Sequence, residues 1–253
     1  MAKGFDTSTP LTAPAAVVFA ADGYGFVGRY LAPDGAWKRL TADEARVITE
    51  AGLYIVSLFE RGSSRAAEGA AAGAEDGRLA LQLAREVGQP AGSAIYFAVD
   101  YDAQPADYAA VEAYMRAADA ELTGYELDAY GNYAVIQVLR DRGVIRTDGG
   151  MQTYAWSHGQ VVAAPRIYQY ENDIVVNGIA IDRCESNGDA GGWKVGMAII
   201  QAPSISKEDA RQIRAILGKY WQEMEGNKEV QDYTHHLVCE VYKAAGMDAD
   251  KDE

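Results

Sequence analysis

The chain has 253 residues, with 23 Lys and Arg against 37 Asp and Glu, a formal charge of −14. That balance disfavours nucleic acid and anionic membrane surfaces as partners, and it supplies no long-range attraction toward an anionic polymer. The length suits one large α/β domain with a small appendage, and two cysteines far apart, Cys184 and Cys239, imply free thiols rather than a disulfide framework.

Strand signals recur at intervals that leave room for helices. Residues 4–8 (GFDTS) form the first, and residues 25–31 (GFVGRYL) the second. Thr41-Ala-Asp-Glu44 is a capping-box pattern that opens a helix, leading to a third strand over 53–60 (LYIVSLFE). Residues 64–87 are Ala-rich and read as a helix stopped by Gly88 and Pro90; Gly69, Gly73 and Gly77 either loosen its first half or admit a close neighbour. The fourth strand, 94–102 (AIYFAVDYD), is followed by a helix over 105–122 with Pro in its first turn and Gly124 beyond its end. Residues 125–131, 151–157, 166–170 and 178–184 complete a set of eight strands. Strands alternating with helices predict a parallel sheet closed into a (β/α)8 TIM-like barrel over residues 1–202, irregular in its C-terminal half, where the connections are too short for full helices.

From Pro203 the pattern changes. Helical stripes over 207–221 and 229–245, the second stopped by Gly246, predict a C-terminal helical hairpin over 203–253 with a frayed tail, DADKDE. Such a hairpin is marginal alone, so it caps the barrel, supports homo-oligomerisation, or binds an outside surface. The N-terminal residues, MAKGFDTS, lack the apolar run of a signal peptide, and no stretch is long enough to insert in a membrane; the expected location as synthesised is the cytoplasm.

The candidate chemistry lies at strand ends. In the fourth strand Ile95, Phe97, Val99 and Tyr101 share one face, while Ala94, Ala98, Asp100 and Asp102 share the other. Gly4, Asp6 and Ser8 repeat this design in the first strand, and Gly178, Ala180 and Asp182 in the last. In a closed barrel Asp6, Asp100, Asp102 and Asp182 then converge on one mouth, joined by Glu60 from the end of the third strand. Neighbouring carboxylates resist ionising together, which produces an acid beside a charged carboxylate, the pair that cleavage of a glycosidic bond uses. The plainer alternative is solvated carboxylates opening turns. Tyr30, Tyr96, Tyr130, Tyr154, Trp156 and Tyr168 lie near strand ends and either stack on sugar rings or pack the barrel. No metal or organic cofactor is expected. Gly23-x-Gly25-x-x-Gly28 lacks the strand before it and the helix opening at it that a dinucleotide fingerprint needs, and His235, His236 and Cys239 are one short cluster without further ligands.

The segments GFDTS, FVGRYL with KRLTADEA, AGLYIVSLFE, IYFAVDYD and YQYENDIVVNGIAIDRC resemble a glycoside-hydrolase-like family, formerly a domain of unknown function, related to the family-25 lysozymes. The resemblance covers roughly the first four fifths of the chain. It implies a (β/α) barrel acting on peptidoglycan glycan as an endolysin-type muramidase; with no signal peptide, such a protein is released to the wall by a phage-type lysis system, and a cytoplasmic product of another role fits equally. It matches Asp6 to the aspartate ending the lysozymes' first strand, Asp100 to the first acid of their Asp-x-Glu, and Asp182 to the aspartate of their last strand. Tyr168-Gln169-Tyr170 looks like their Trp-Gln-Tyr. Asp102 stands where they carry the catalytic Glu, and the missing methylene retracts a proton donor by roughly 1.5 Å. Asp102 or Glu60 is then the donor, with Asp6, Asp100 and Asp182 around it and Tyr30, Tyr130, Trp156, Tyr168 and Gln169 contacting sugar. The alternative is a non-catalytic glycan-binding module on the same barrel.

Overall fold

The computed structural model describes residues 1–198, 207–224 and 227–245. The expected boundary at 202/203, the stop at Gly246 and the DADKDE tail lie outside the described residues. Two compact units are present, Met1–Ile199 and Ile200–Glu253. In the second, α6 (Lys207–Glu223) and α7 (Lys228–Ala244) pack on each other, with Ala210 and Tyr242 buried. Among the described residues no helix is long and apolar enough to cross a membrane.

The first unit is a closed barrel of eight strands in sequence order. In chain order it comprises β1 (Ala2–Asp6), α1 (Ala13–Ala21), β2 (Phe26–Leu31), α2 (Ala42–Glu50), β3 (Tyr54–Phe59), α3 (Ala70–Glu86), β4 (Ala94–Ala98), α4 (Tyr108–Glu121), β5 (Glu126–Gly131), α5 (Tyr133–Asp141), β6 (Met151–Thr153), β7 (Ile167–Val176) and β8 (Ile179–Ser186). Alternation sorts the strand residues as expected. Phe5, Val27, Ile55, Phe59, Ile95, Phe97 and Val99 face outward into the layer shared with the helices, whereas Phe26, Val56, Leu58, Ala94, Tyr96, Met151, Ile167 and Cys184 fill the barrel. Glycine makes the interior fit: a Cβ on Gly4 would lie 2.1 Å from the Phe26 ring, and one on Gly28 would lie 2.6 Å from the Asp6 Cβ.

The barrel differs from an all-parallel one at its last strand. β8 runs antiparallel to both β7 and β1. Only Asn177 and Gly178 separate β7 from β8, both at positive φ (53° and 77°), the two-residue hairpin turn that Asn-Gly favours; a parallel crossover needs a dozen residues or more. Because side-chain parity survives the reversal, Asp182 still faces inward, directly opposite Asp6.

The helices hold this frame through three polar or small-residue devices. Thr41 caps α2, its hydroxyl accepting the Glu44 N–H. Glu44 does not return to the cap. Its carboxylate pairs with the fully buried Arg29 (Nε to Oε1, 2.7 Å) and accepts the Leu11 N–H at 2.8 Å, while Arg29 Nη1 donates to the Thr7 carbonyl at 2.5 Å. This ties down the segment leaving Asp6. The predicted helix over 64–87 is interrupted by Gly69 at φ 76°. Beyond it Gly73 and Gly77 admit a close neighbour: added Cβ atoms would lie 2.1 Å and 2.5 Å from the Tyr114 and Ala118 carbonyl oxygens of α4. At the end of the barrel where β5 begins, the buried Arg166 binds Glu126 (2.8 Å) and Asp128 (3.1 Å), and the Tyr96 hydroxyl donates to the Ala190 carbonyl.

Candidate active site

At the opposite end, where β2 to β5 finish, lies a pocket of about 180 Å³. Its wall follows from inward parity. Tyr30 comes from β2, Leu58 from β3 with Glu60 just beyond, Ala98 from β4 with Asp100 two residues on, Tyr130 from β5, Gln169 and Asn172 from β7, and Asp182 from β8.

Asp6 is only 2 % exposed and sits below this wall. Gln169 connects it to the pocket: Nε2 donates to Asp6 Oδ2 at 2.8 Å and to Asp182 Oδ2 at 3.3 Å, and Oε1 accepts the Tyr130 O–H at 3.0 Å. Cys184 Sγ lies 3.4 Å from the same Asp6 oxygen. Asp182 Oδ1 accepts the backbone N–H of Asp173 at 2.7 Å. On the far wall Glu60 is ion-paired with Lys38, whose Nζ stands 4.5 Å from the centre of the Tyr30 ring.

Burial dominates the electrostatics. It pushes the Asp6 carboxyl up from 3.8 to about 7, with the Asp182 charge adding to it and the Gln169 and Cys184 hydrogen bonds opposing. Asp182 is raised by burial against the Asp173 N–H. Asp100, half-buried, is raised by burial and then by Glu60, with Lys38 and the nearby Tyr130 hydroxyl opposing. Burial likewise keeps the Tyr30 and Tyr130 phenols neutral. The mouth therefore holds carboxyls that keep their protons longer than usual, an arrangement suited to acid-assisted cleavage of an acetal.

Asp6, Asp100, Asp182, Glu60, Tyr30 and Tyr130 come together here as their strand-end positions predict, and Gln169, to which only the resemblance points, joins them. Five candidates do not: Asp102, Tyr168, Trp156, Tyr154 and Tyr96, the last with its hydroxyl on the Ala190 carbonyl at the other end of the barrel. Asp102 is exposed and absent from the wall, because the pairing of β4 with its neighbours ends at Phe97 and Ala98 and strand alternation does not carry beyond it. Tyr168 alternates with the inward Ile167 and Gln169, so it faces outward, with its ring centre 6.5 Å from that of Tyr170. Trp156 stands in the connection after β6 at φ 54°, 41 % exposed and off the wall, and Tyr154 is also exposed. Lys38 and Asn172 are additions. Gln169 and Asn172 are three residues apart and share the inner side only because register shifts interrupt β7 between Gln169 and Glu171 and between Glu171 and Ile174. Among the described residues no group of three or more His, Cys, Asp or Glu is arranged to hold a metal.

A closed α/β barrel whose strand ends carry a carboxyl-lined pocket is an architecture that glycoside hydrolase-like proteins share. The chain belongs to the Rv2525c-like, glycoside hydrolase-like domain family, whose model matches residues 17–187. It is 37 % identical over 109 residues to the uncharacterized protein YbfG of Bacillus subtilis (strain 168), a match covering 40 % of this chain and 15 % of that one. The chain thus spans only a small part of that curated relative. Among solved structures it is similar to the Tat-secreted protein Rv2525c of Mycobacterium tuberculosis in complex with L-tartrate (TM-score 0.66, 24 % identity, 76 % of this chain and 98 % of that one). It is also similar to an uncharacterized B. stearothermophilus protein (TM-score 0.57, 19 % identity, 76 % and 100 %). These two likenesses are of fold.

Proposed function

We propose that the protein is a glycosidase of lysozyme type that cuts the glycan of bacterial peptidoglycan, with Asp100 as proton donor. The observation that carries this reading is the state of Asp100: a half-buried carboxyl on the pocket wall, raised above its ordinary range by burial and Glu60. Such a group protonates a leaving oxygen and recovers its proton afterwards. Asp182, whose oxygens accept from Gln169 and Asp173, is the carboxylate that stabilises positive charge developing on the sugar ring or orients its N-acetyl group. Asp6, buried beneath, holds that array and tunes its protonation. Tyr30 and Tyr130 supply flat apolar faces for a pyranose. Asp102 has no part in proton transfer, because it lies off the wall. Peptidoglycan as the polymer rests on the family and on its kinship with the family-25 lysozymes.

Purified protein incubated with bacterial cell walls should release reducing ends, and Asp100→Asn should lower that release at least a hundredfold, the usual worth of a positioned acid. Release that survives in Asp100→Asn overturns the assignment. One observation favours the glycan-binding reading instead: Asp102, at the position matched to the lysozymes' catalytic Glu, is exposed and off the wall. On that reading the protein co-sediments with walls and releases nothing.

A further inference from the structure

The tyrosines of the barrel interior, Tyr96, Tyr30 and Tyr130, share one cluster of apolar neighbours, but their hydroxyls differ. Tyr96 donates to the Ala190 carbonyl at 2.8 Å and Tyr130 to Gln169 Oε1 at 3.0 Å. Tyr30 Oη has no hydrogen-bond partner among the described residues. It is not sealed off either: the unpaired Tyr101 Oη is closed to water, whereas Tyr30 Oη opens on the pocket that its residue lines. A phenol drawn into a protein usually gives its O–H to an acceptor, so a free one on a pocket wall needs a reason.

The surroundings hold Tyr30 in place without using its hydroxyl. The ring packs against the interior cluster, and Lys38 Nζ stands 4.5 Å from its centre while ion-paired to Glu60. The carboxyls whose charges bear on the phenol are Asp6, Glu60 and Asp182, and each accepts from another donor. Gln169 serves Asp6 and Asp182, the Asp173 N–H serves Asp182 as well, and Lys38 serves Glu60. Burial and those charges keep the phenol protonated, so it stays a donor. Facing water, the hydroxyl costs the fold little. A ligand that fills the pocket displaces that water and leaves the O–H unsatisfied unless it brings an acceptor.

Resting on the glycosidase or glycan-binding reading of this pocket, we infer that Tyr30 reads the substrate through its hydroxyl, which donates a hydrogen bond to an oxygen of the seated sugar. The acceptor is an acetamido carbonyl or a sugar hydroxyl oxygen. This adds a directional contact to the ring face, and removing one atom abolishes it.

Tyr30→Phe removes that atom alone and keeps the ring beside Lys38. Calorimetric titration of the full chain with triacetylchitotriose and with cellotriose, which carries hydroxyls in place of the acetamido groups, reads the effect. The variant should bind triacetylchitotriose about tenfold more weakly than wild type, the scale of one neutral hydrogen bond. Its thermal midpoint without sugar should be equal or higher, since no bond within the protein is lost. A loss confined to triacetylchitotriose supports the inference with the acetamido carbonyl as acceptor; an equal loss for both sugars supports it with a hydroxyl oxygen. Unchanged affinity for triacetylchitotriose overturns it. So does a loss accompanied by a lowered midpoint, which marks the hydroxyl as structural. The reading of the pocket fails separately: a wild-type chain that binds neither trisaccharide overturns the sugar assignment and takes this inference with it.

Discussion

Replacing Asp6 by Asn tests the electrostatic core of the site. The substitution keeps the size of the side chain and an oxygen for the Gln169 amide, and removes only the ability to ionise. A buried carboxyl raised from 3.8 to about 7 binds its proton more tightly in the fold than in the unfolded chain. Its contribution to stability is therefore fully present below pH 3.8 and is lost as pH rises through about 7. At 1.36 kcal/mol per pH unit the loss across that window is about 4 kcal/mol, an upper figure because part of the rise is shared with Asp182. Urea unfolding of both proteins from pH 4.5 to 8.5 reads the difference directly. Asp6→Asn should gain on wild type steadily up to about pH 7 and then hold a constant advantage. Wild-type and variant curves that run parallel over the whole range would refute the claim that Asp6 is buried beside Asp182 at an energetic cost.

Two further perturbations probe the frame. Glu44→Ala leaves the Arg29 guanidinium buried without its carboxylate and frees the Leu11 N–H, and should cost about 3–5 kcal/mol in urea unfolding; a cost below about 1 kcal/mol would show that Arg29 finds solvent or another partner. Gly73→Ala sets two effects against each other. Helix propensity alone favours alanine by about 1 kcal/mol, whereas a Cβ placed 2.1 Å from the Tyr114 carbonyl must push α3 off α4 at about 1–3 kcal/mol. The net change should be a lower melting temperature, and a raised one would mean that the helices have room to separate.

The strands were legible because their two faces differ in kind. Bulk on one side and Gly, Ala or Asp on the other is a pattern of period two that chain direction does not disturb, so Asp6 and Asp182 could be brought together even with the last strand expected to run the other way. That reversal was itself readable in Asn177-Gly178, a hairpin signal between two apolar runs. Two short helices escaped for different reasons. In α1 the run APAAVVFAA is apolar all round and shows no stripe, although Thr12 and Pro14 mark its start; α5 is announced only by Asn132, whose side chain caps it. Tyr168 is excluded from the pocket by the same parity that admits Gln169. Asp102 and Asn172 mark the limit of such reasoning. One follows the point where a strand loses its partners, and the other follows a shift in pairing, and neither event has a signature in residue type.

The reversed closing strand has one more effect. In an all-parallel barrel the first strand starts at one rim and the last strand finishes at the other. Here Ala2 stands beside Ser186, so both lie on the same rim, the one away from the pocket. The chain that follows Ser186 therefore leaves from that rim, where the Ala190 carbonyl takes the Tyr96 hydroxyl and the buried Trp193 donates its indole N–H to Ser57 Oγ, so one short segment ties β3 and β4 together at the end opposite the pocket.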